Sequence, residues 1–242
     1  MKLITIVTTA ALQTAITQAF TPIHIHTHPT THTYTTTILH SLKPAATPLM
    51  DSGKALARSG ELLIDATSTP TLDIYGGGLS SAGANIRNAG DCVAQAAASC
   101  RFKTAAELVT DELREAATCL LEGVDQLKKA MDDAEVDGQV ELKQAVESMV
   151  EPLERSATTL EAAGAGIMKK ETYVAIGEKM FQVGESFGEL AILIQKIGEP
   201  DLEETKISGQ RMLYAAEKMR EAGNNLRGIA PAKKKGKSWL KG

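Results

Sequence analysis

A seven-residue repeat, in which a glycine or alanine is followed three residues later by a large apolar residue, runs through most of this 242-residue chain. In the segment YGGGLSSAGANIRNAGDC (75–92), Gly76, Gly83 and Gly90 recur every seven residues. Glycine costs roughly 1 kcal/mol relative to alanine inside a helix, so a regular glycine row needs a compensating interaction. A row of small residues lets a neighbouring helix approach closely, and we interpret the row as a packing seam.

The same small-and-large pattern recurs in four of the five other helical segments, and the intervening residues are mostly charged or polar. Such a narrow apolar stripe is typical of helices that pack side by side, as in coiled coils. The breaks between segments are short, which favours antiparallel neighbours. We predict an all-α, up-and-down antiparallel helical bundle over residues 51–230, with Gly177, Gly184, Gly209 and Gly223 as further seam glycines. Its six helices are expected near residues 50–66, 75–100, 105–133, 139–169, 172–198 and 202–228.

The first fifty residues differ in composition from the rest of the chain. They contain fourteen threonines, all five histidines and no acidic residue. Residues 1–19 have the short positive start, apolar centre and small final residues of a signal peptide, which predicts a cut between Ala19 and Phe20. The acid-free, hydroxyl-rich residues 20–50 that follow have the composition of a plastid transit peptide.

The junction of these two segments carries a resemblance to a known class of targeting sequence. Ala19, Phe20 and Pro22 place an aromatic residue at the cleavage point, with Thr17 where alanine is more frequent. This arrangement resembles the bipartite plastid presequence of diatoms and related algae, and it covers the presequence only. It implies the plastid stroma or a stromal membrane surface, because no second hydrophobic signal follows. Secretion with a threonine-rich linker is the alternative.

Charge separates the body from the C-terminal tail. Residues 51–232 carry nineteen basic and thirty acidic residues, whereas the last ten carry five lysines and no acid. A net-acidic body argues against nucleic-acid binding, and no stretch after the presequence is apolar enough for a transmembrane span. We interpret residues 231–242 as a tail that docks on a protein partner or an anionic membrane surface, with a solubilising end as the alternative. Its candidate residues are Lys233, Lys234, Lys235, Lys237 and Trp239.

Residue types that carry catalysis are sparse in the body. It has no histidine, no nucleophile elbow and no phosphate-binding loop, so we predict a protein that is not an enzyme and holds no cofactor. The three cysteines lack the spacing of a zinc site. Cys92 and Cys119 share an outer heptad position on consecutive helices, which makes a reversible cross-helix disulfide one hypothesis.

One acidic connection partly matches a calcium-binding loop. In DAEVDGQVELKQ, Asp133, Glu135, Asp137 and Glu141 stand where an EF-hand places its first, third, fifth and ninth ligands. Gln144 occupies position twelve, where a bidentate glutamate is required. An acidic helix connection is the alternative interpretation.

Two functions remain after these exclusions. The first is a non-enzymatic plastid protein that acts as a structural, scaffolding or regulatory interaction partner. The alternative is a carrier of a pigment or lipid in a groove floored by seam glycines, because small residues leave volume and methionine adapts its shape. Its walls would be Met180, Phe187, Met212 and Met219.

Overall fold

The protein is a bundle of six helices in a computed structural model that describes residues 32–68, 76–101, 106–136, 140–197 and 203–229. Within these ranges the backbone is helical apart from short turns, and it contains no strand. The prediction of an all-α bundle is confirmed. The helices are α1 (His32–Thr67), α2 (Gly76–Arg101), α3 (Ala106–Val136), α4 (Val140–Met168), α5 (Tyr173–Ile197) and α6 (Glu203–Leu226).

The helices form a closed ring. Each helix packs against its neighbours in the chain, and α6 returns to pack against α1. The register shows that neighbours are antiparallel, because Gly53 on α1 approaches Gly90 on α2, whereas Gly60 approaches Gly83. The large row of the repeat lies in the interior, and its fully buried members include Leu56, Leu79, Leu113, Leu120, Leu153 and Phe187.

Helix α1 begins well before the predicted start near residue 50. Leu42 and Leu49 extend the row of Leu56 and Leu63 toward the N-terminus at the same seven-residue spacing, and all four side chains are buried. Ala45 and Ala46 are buried beside them. The predicted boundary is therefore too late, because threonine-rich composition and two prolines obscured a repeat that already runs from Leu42.

Two prolines inside α1 are accommodated without breaking the helix. Pro48 has no backbone N–H, so the carbonyl of Pro44, four residues earlier, loses its helical donor. The side-chain nitrogen of Asn225 on α6 donates to that carbonyl at 2.9 Å. The beginning of α1 is thus fastened to the end of α6 by a hydrogen bond that replaces the missing helical one.

Helix α4 ends in a turn that contains a residue with a left-handed backbone conformation. Lys170 has φ 57°, a conformation that glycine adopts more easily than lysine. Its N–H donates to Ile167 O at 3.1 Å, and the N–H of Glu171 donates to Gly166 O at 2.9 Å. This pair of bonds is the Schellman arrangement that satisfies the last carbonyls of a helix. The Thr172 hydroxyl then accepts from Ala175 N at 3.3 Å and caps α5.

Candidate functional site

The glycine row between α1 and α2 is closed by backbone. A Cβ atom added to Gly90 would lie 2.6 Å from Gly53 O and closer still to Ala57 N. One added to Gly53 would lie 2.6 Å from Gly90 O and 2.5 Å from Ala94 N. These distances are far below van der Waals contact and involve main-chain atoms, so neither glycine has room for a larger residue. A Cβ atom added to Gly83 would lie 3.0 Å from Gly60 O.

A second glycine-closed interface joins α5 and α6. A Cβ on Gly177 would lie 2.6 Å from Gly223 O, and one on Gly223 would lie 2.7 Å from Phe181 N. Gly184 faces Ala216 O at 2.8 Å. Gly209, farther along α6, faces Ala191 O at 2.6 Å. The seam glycines of the α1–α2 and α5–α6 interfaces therefore allow the backbones of neighbouring helices to come into contact. The resulting dispersion contacts offset the poor helix propensity of glycine.

This packing fills the groove expected for a small-molecule carrier. Met180, Phe187, Met212 and Met219 are each at most 1% exposed and belong to the interior core. The glycines that would form the floor are covered by the neighbouring helix. Gly76 is the first residue of α2, and its surroundings lie outside the described residues.

The interface between α4 and α5 is held differently, by long side chains. Arg155 on α4 donates from Nε to Ser186 Oγ at 3.0 Å and from Nη2 to the Glu189 carboxylate. Lys179 on α5 pairs with Glu171 in the preceding turn. Helices α4 and α5 are the least closely packed neighbours in the ring. No glycine in the described part of the chain brings the backbones of these two helices together.

Buried serines close the ring between α1 and α6. Ser59 Oγ donates to Ser208 O at 2.9 Å, and Ser208 Oγ donates to Ser59 O at 2.8 Å. Ser52 Oγ donates to Ala215 O at 2.8 Å. The sequence analysis missed this contact, although Ser52 and Ser59 stand seven residues apart, each directly before a seam glycine. Because all three hydroxyls are satisfied, their burial is compatible with close helix approach.

Three of the four residues of the calcium-loop hypothesis lie in helices. Asp133 and Glu135 lie within α3, which continues to Val136, and Glu141 lies within α4. A calcium loop needs about twelve residues of turning chain, whereas three residues separate these helices. Glu135 instead pairs with Lys143 at 2.7 Å. No cluster of three or more potential metal ligands occurs within the described ranges, and Asp137 lies outside them.

The two outer cysteines lie on either side of the α2–α3 interface. Burial raises the pKa of both the Cys92 and the Cys119 thiol, and nearby acidic residues raise it further. Gly78 faces Ala130 and Gly123 approaches Asn85 across this interface, a register that places Cys92 opposite the turn of Glu115 and Cys119 about one turn away. Cys92 is partly exposed, and Cys119 is 9% exposed. Cys100 is buried on its own, and burial raises its pKa from 9.0 to about 12.

The outer surface of the ring is uneven in charge. Helix α3 carries nine acidic and three basic residues, and α4 carries five and two. Helices α1 and α6 each carry equal numbers of both. A shallow pocket of about 210 Å³ lies on the α1–α6 side, where Lys54, Arg58, Arg211 and Tyr214 line it with Asp51 and Ala55. The excess negative charge therefore belongs to the α3–α4 side.

Several predicted features fall beyond the described ranges. The signal-peptide cleavage pair Ala19 and Phe20 lies there, as do the tail residues of 231–242. Among the helices that the structure describes, none has an apolar stretch long enough to cross a membrane.

No protein-family model and no curated protein matches the chain. The function proposed below therefore depends on the packing and surface chemistry of this chain and on the resemblance of its presequence.

Proposed function

We propose that the protein is a non-enzymatic interaction partner in the plastid, a rigid helical module that serves a larger assembly as a structural, scaffolding or regulatory component. The observation that carries this proposal is the closure of the glycine seams by neighbouring backbone. Because the helix faces of α1, α2, α5 and α6 are used to pack the ring itself, recognition of a partner falls to the outer surface and the tail.

The outer surface supports a partner chosen by charge. The α3–α4 side is acidic, and the tail that follows α6 carries five lysines and Trp239 in its last ten residues. Opposite charges on two parts of one chain favour oriented docking, since charge complementarity steers association and fixes orientation. In this proposal the tail attaches the bundle to an anionic membrane surface or an acidic protein, and the bundle acts as the rigid body.

The tail is tested by deleting residues 233–242 from the otherwise complete chain. We expect unchanged helical content by circular dichroism, and loss of co-sedimentation with vesicles that contain anionic phosphatidylglycerol. A chain with glutamine at Lys233, Lys234, Lys235 and Lys237 separates charge from the contribution of Trp239, which Trp239→Ala tests alone. If binding to vesicles and to plastid extract is the same with and without the tail, its docking role is wrong.

The proposed plastid presequence needs a revised end. Leu42, Ala45, Ala46 and Leu49 are core residues, and Asn225 binds Pro44 O. Removal of everything up to residue 50 would expose the surfaces that these side chains cover. We therefore place the final processing point between Ala19 and Leu42, so that the mature chain keeps the whole buried part of α1.

Two measurements address this placement. Chains that begin at residue 42 and at residue 51 are compared by thermal melting, and the shorter chain is expected to melt roughly 10 °C or more lower because buried leucines are lost. N-terminal sequencing of the protein from its source should give a first residue before Leu42. Equal melting temperatures would contradict the packing argument, and a mature N-terminus near residue 51 would contradict the placement.

A further inference from the structure

We propose that the shallow pocket between α1 and α6 binds a phosphate group of the monoester class, held by Lys54, Arg58 and Arg211. This inference goes beyond the function proposed above, because the pocket lies on the bundle and does not involve the tail. It rests on the cations that two neighbouring helices bring to one pocket, and on the balance of charge among the residues that line it.

The register of α1 and α6 brings these cations together. The buried serine contacts that close the ring place residues 52–59 of α1 antiparallel beside residues 208–215 of α6. Lys54 and Arg58 are one helical turn apart on α1, and Arg211 lines the same pocket from α6. Side chains from two helices that are fixed against each other can therefore bind one anion together.

The charge of the lining residues favours a doubly charged anion. Lys54, Arg58 and Arg211 are cationic, and Asp51 is the one carboxylate among the six lining residues, which leaves a net charge of +2. A phosphomonoester carries a charge of about −2 at neutral pH. A carboxylate or a phosphodiester carries a single negative charge, so the pocket matches the monoester best.

Two of the three cations are available to a ligand. Lys54 and Arg211 make no ion pair within the described ranges, whereas Arg58 pairs with Glu61 at 2.8 Å. Cations that share a pocket repel one another. A bound phosphate would relieve this repulsion and would accept charge-assisted hydrogen bonds, for which the planar fork of an arginine is well suited.

A fourth cation stands beside the pocket. Lys218 Nζ lies 5.6 Å from the centroid of the Tyr214 ring, and Tyr214 is itself a lining residue. The hydrogen bond with Glu221 is the main cause of the raised pKa of Lys218, and Asp51 contributes to it. Lys218 therefore offsets part of the negative charge of Asp51, and Tyr214 adds a hydroxyl that can donate to an anion.

The size of the pocket limits what it can enclose. Its volume of about 210 Å³ is below the roughly 300 to 1,000 Å³ of sites that enclose a drug-sized ligand. Ala55, a lining residue that is 7% exposed, leaves room for an anion between the longer side chains. The pocket therefore holds the phosphate group while the remainder of the ligand stays outside. A soluble phosphorylated metabolite and a lipid headgroup both present such a group.

The experiment titrates the isotope-labelled full chain with sodium phosphate at constant ionic strength and follows the backbone amide resonances by NMR. We expect saturable shifts at residues 51–58 and 208–214, larger than those caused by sodium chloride or sodium acetate. Resonances of the lysine-rich tail report separately on any anion bound there.

Four single variants test the contacts, and circular dichroism should show unchanged helical content in each. Arg211→Gln should weaken phosphate binding about tenfold, because it removes a charge-assisted hydrogen-bonding group. Lys54→Gln and Tyr214→Phe should each weaken it roughly threefold. Lys129→Gln on α3 is the matched control for Lys54, since both lysines are exposed and neither makes an ion pair in the described part of the chain. It should leave binding unchanged.

Two further titrations identify the source of the phosphate. Glycerol phosphate supplies a soluble monoester, and neutral vesicles that contain phosphatidic acid supply a monoester headgroup. A soluble source is shown if Arg211→Gln weakens binding of glycerol phosphate and leaves vesicle binding unchanged. A lipid source is shown if the same variant lowers binding to phosphatidic acid vesicles and leaves binding to phosphatidylglycerol vesicles unchanged.

The proposal is overturned if phosphate shifts these resonances no more than acetate does at the same ionic strength. That result would indicate carboxylates, such as those of an acidic protein, as the occupant. It is also overturned if Lys129→Gln weakens phosphate binding as much as Arg211→Gln, because the attraction would then be general. Neither result bears on the tail, whose docking is measured with phosphatidylglycerol vesicles.

Discussion

The α5–α6 and α4–α5 interfaces share one helix but are built by opposite means. On the α6 side of α5, Gly177 and Gly184 let main-chain atoms of the two helices touch. On the α4 side, Arg155 spans the gap to Ser186 and Glu189 with a long side chain. Backbone contact is intolerant of added volume and indifferent to salt, whereas a bridge of exposed charges tolerates change and is screened. Stability should therefore be distributed unevenly around the ring.

We expect the largest loss of stability from a single added methyl group at the α1–α2 seam. In Gly90→Ala, the added Cβ meets Gly53 O and Ala57 N, which cannot move without separating the helices. We expect a net loss of about 2 kcal/mol in the free energy of unfolding, because overpacking outweighs the gain in helix propensity. Urea titration followed by circular dichroism measures it.

Gly77→Ala is the matched control on the same helix, because a Cβ there meets nothing within 4 Å. It should leave stability unchanged or raise it by up to about 1 kcal/mol. Equal destabilisation by both substitutions would indicate a general intolerance of α2 rather than a closed seam.

The serine pair that closes the ring between α1 and α6 should show an intermediate effect. Ser59→Ala leaves the buried carbonyl of Ser208 without its 2.9 Å donor. A net loss of about 1 kcal/mol is expected, typical of one buried hydrogen bond. The double variant Ser59→Ala with Ser208→Ala should lose less than the two single losses combined, since the residues contact each other. Additive losses from thermal melts would argue against a coupled pair.

The α4–α5 bridge should contribute less. Arg155→Met keeps the apolar part of the side chain but removes its contacts with Ser186, Glu189 and Glu151. The Arg155 side chain is 42% exposed, so we expect a loss of only about 0.5 kcal/mol. The difference from the unmodified chain should shrink further in 1 M NaCl. A loss larger than that of Gly90→Ala would reverse the comparison between the two kinds of interface.

The turn at the end of α4 offers a small gain. Lys170→Gly removes the steric cost of a left-handed lysine while keeping the two backbone bonds of the turn. Stability should rise by about 0.5 kcal/mol, because the relief exceeds the added freedom of the unfolded chain. Gly228, which has φ 71° at the end of α6, is the reference position, and Gly228→Ala should lower stability there. A loss on Lys170→Gly would mean that the lysine side chain has a packing role.

The heptad repeat, together with the breaks between segments, predicted helices α2 to α6 to within about three residues at each end. It also identified seam positions such as Gly90 and Gly223 correctly as close-packing sites. The start of α1 was missed because threonine-rich composition was weighed above the spacing of Leu42 and Leu49. Local sequence has no information on which neighbour a seam faces.

The candidate site was less accessible to sequence reasoning than the fold. The ring closure depends on partners far apart in the chain, such as Ser59 with Ser208, whose pairing follows only from the three-dimensional register. The sequence pattern of the calcium-loop hypothesis also did not indicate that α3 continues through Glu135 to Val136.

The central claim is that the glycine seams are closed by backbone and hold no ligand groove. Two glycines on α5, one helical turn apart, test it directly. At Gly184 an added Cβ lies 2.8 Å from Ala216 O, and at Gly188 the nearest atom is 3.9 Å away. Gly184→Ala should lower the free energy of unfolding by about 2 kcal/mol, and Gly188→Ala should raise it by up to about 1 kcal/mol. Stabilisation by both substitutions would show an unfilled seam and contradict the account.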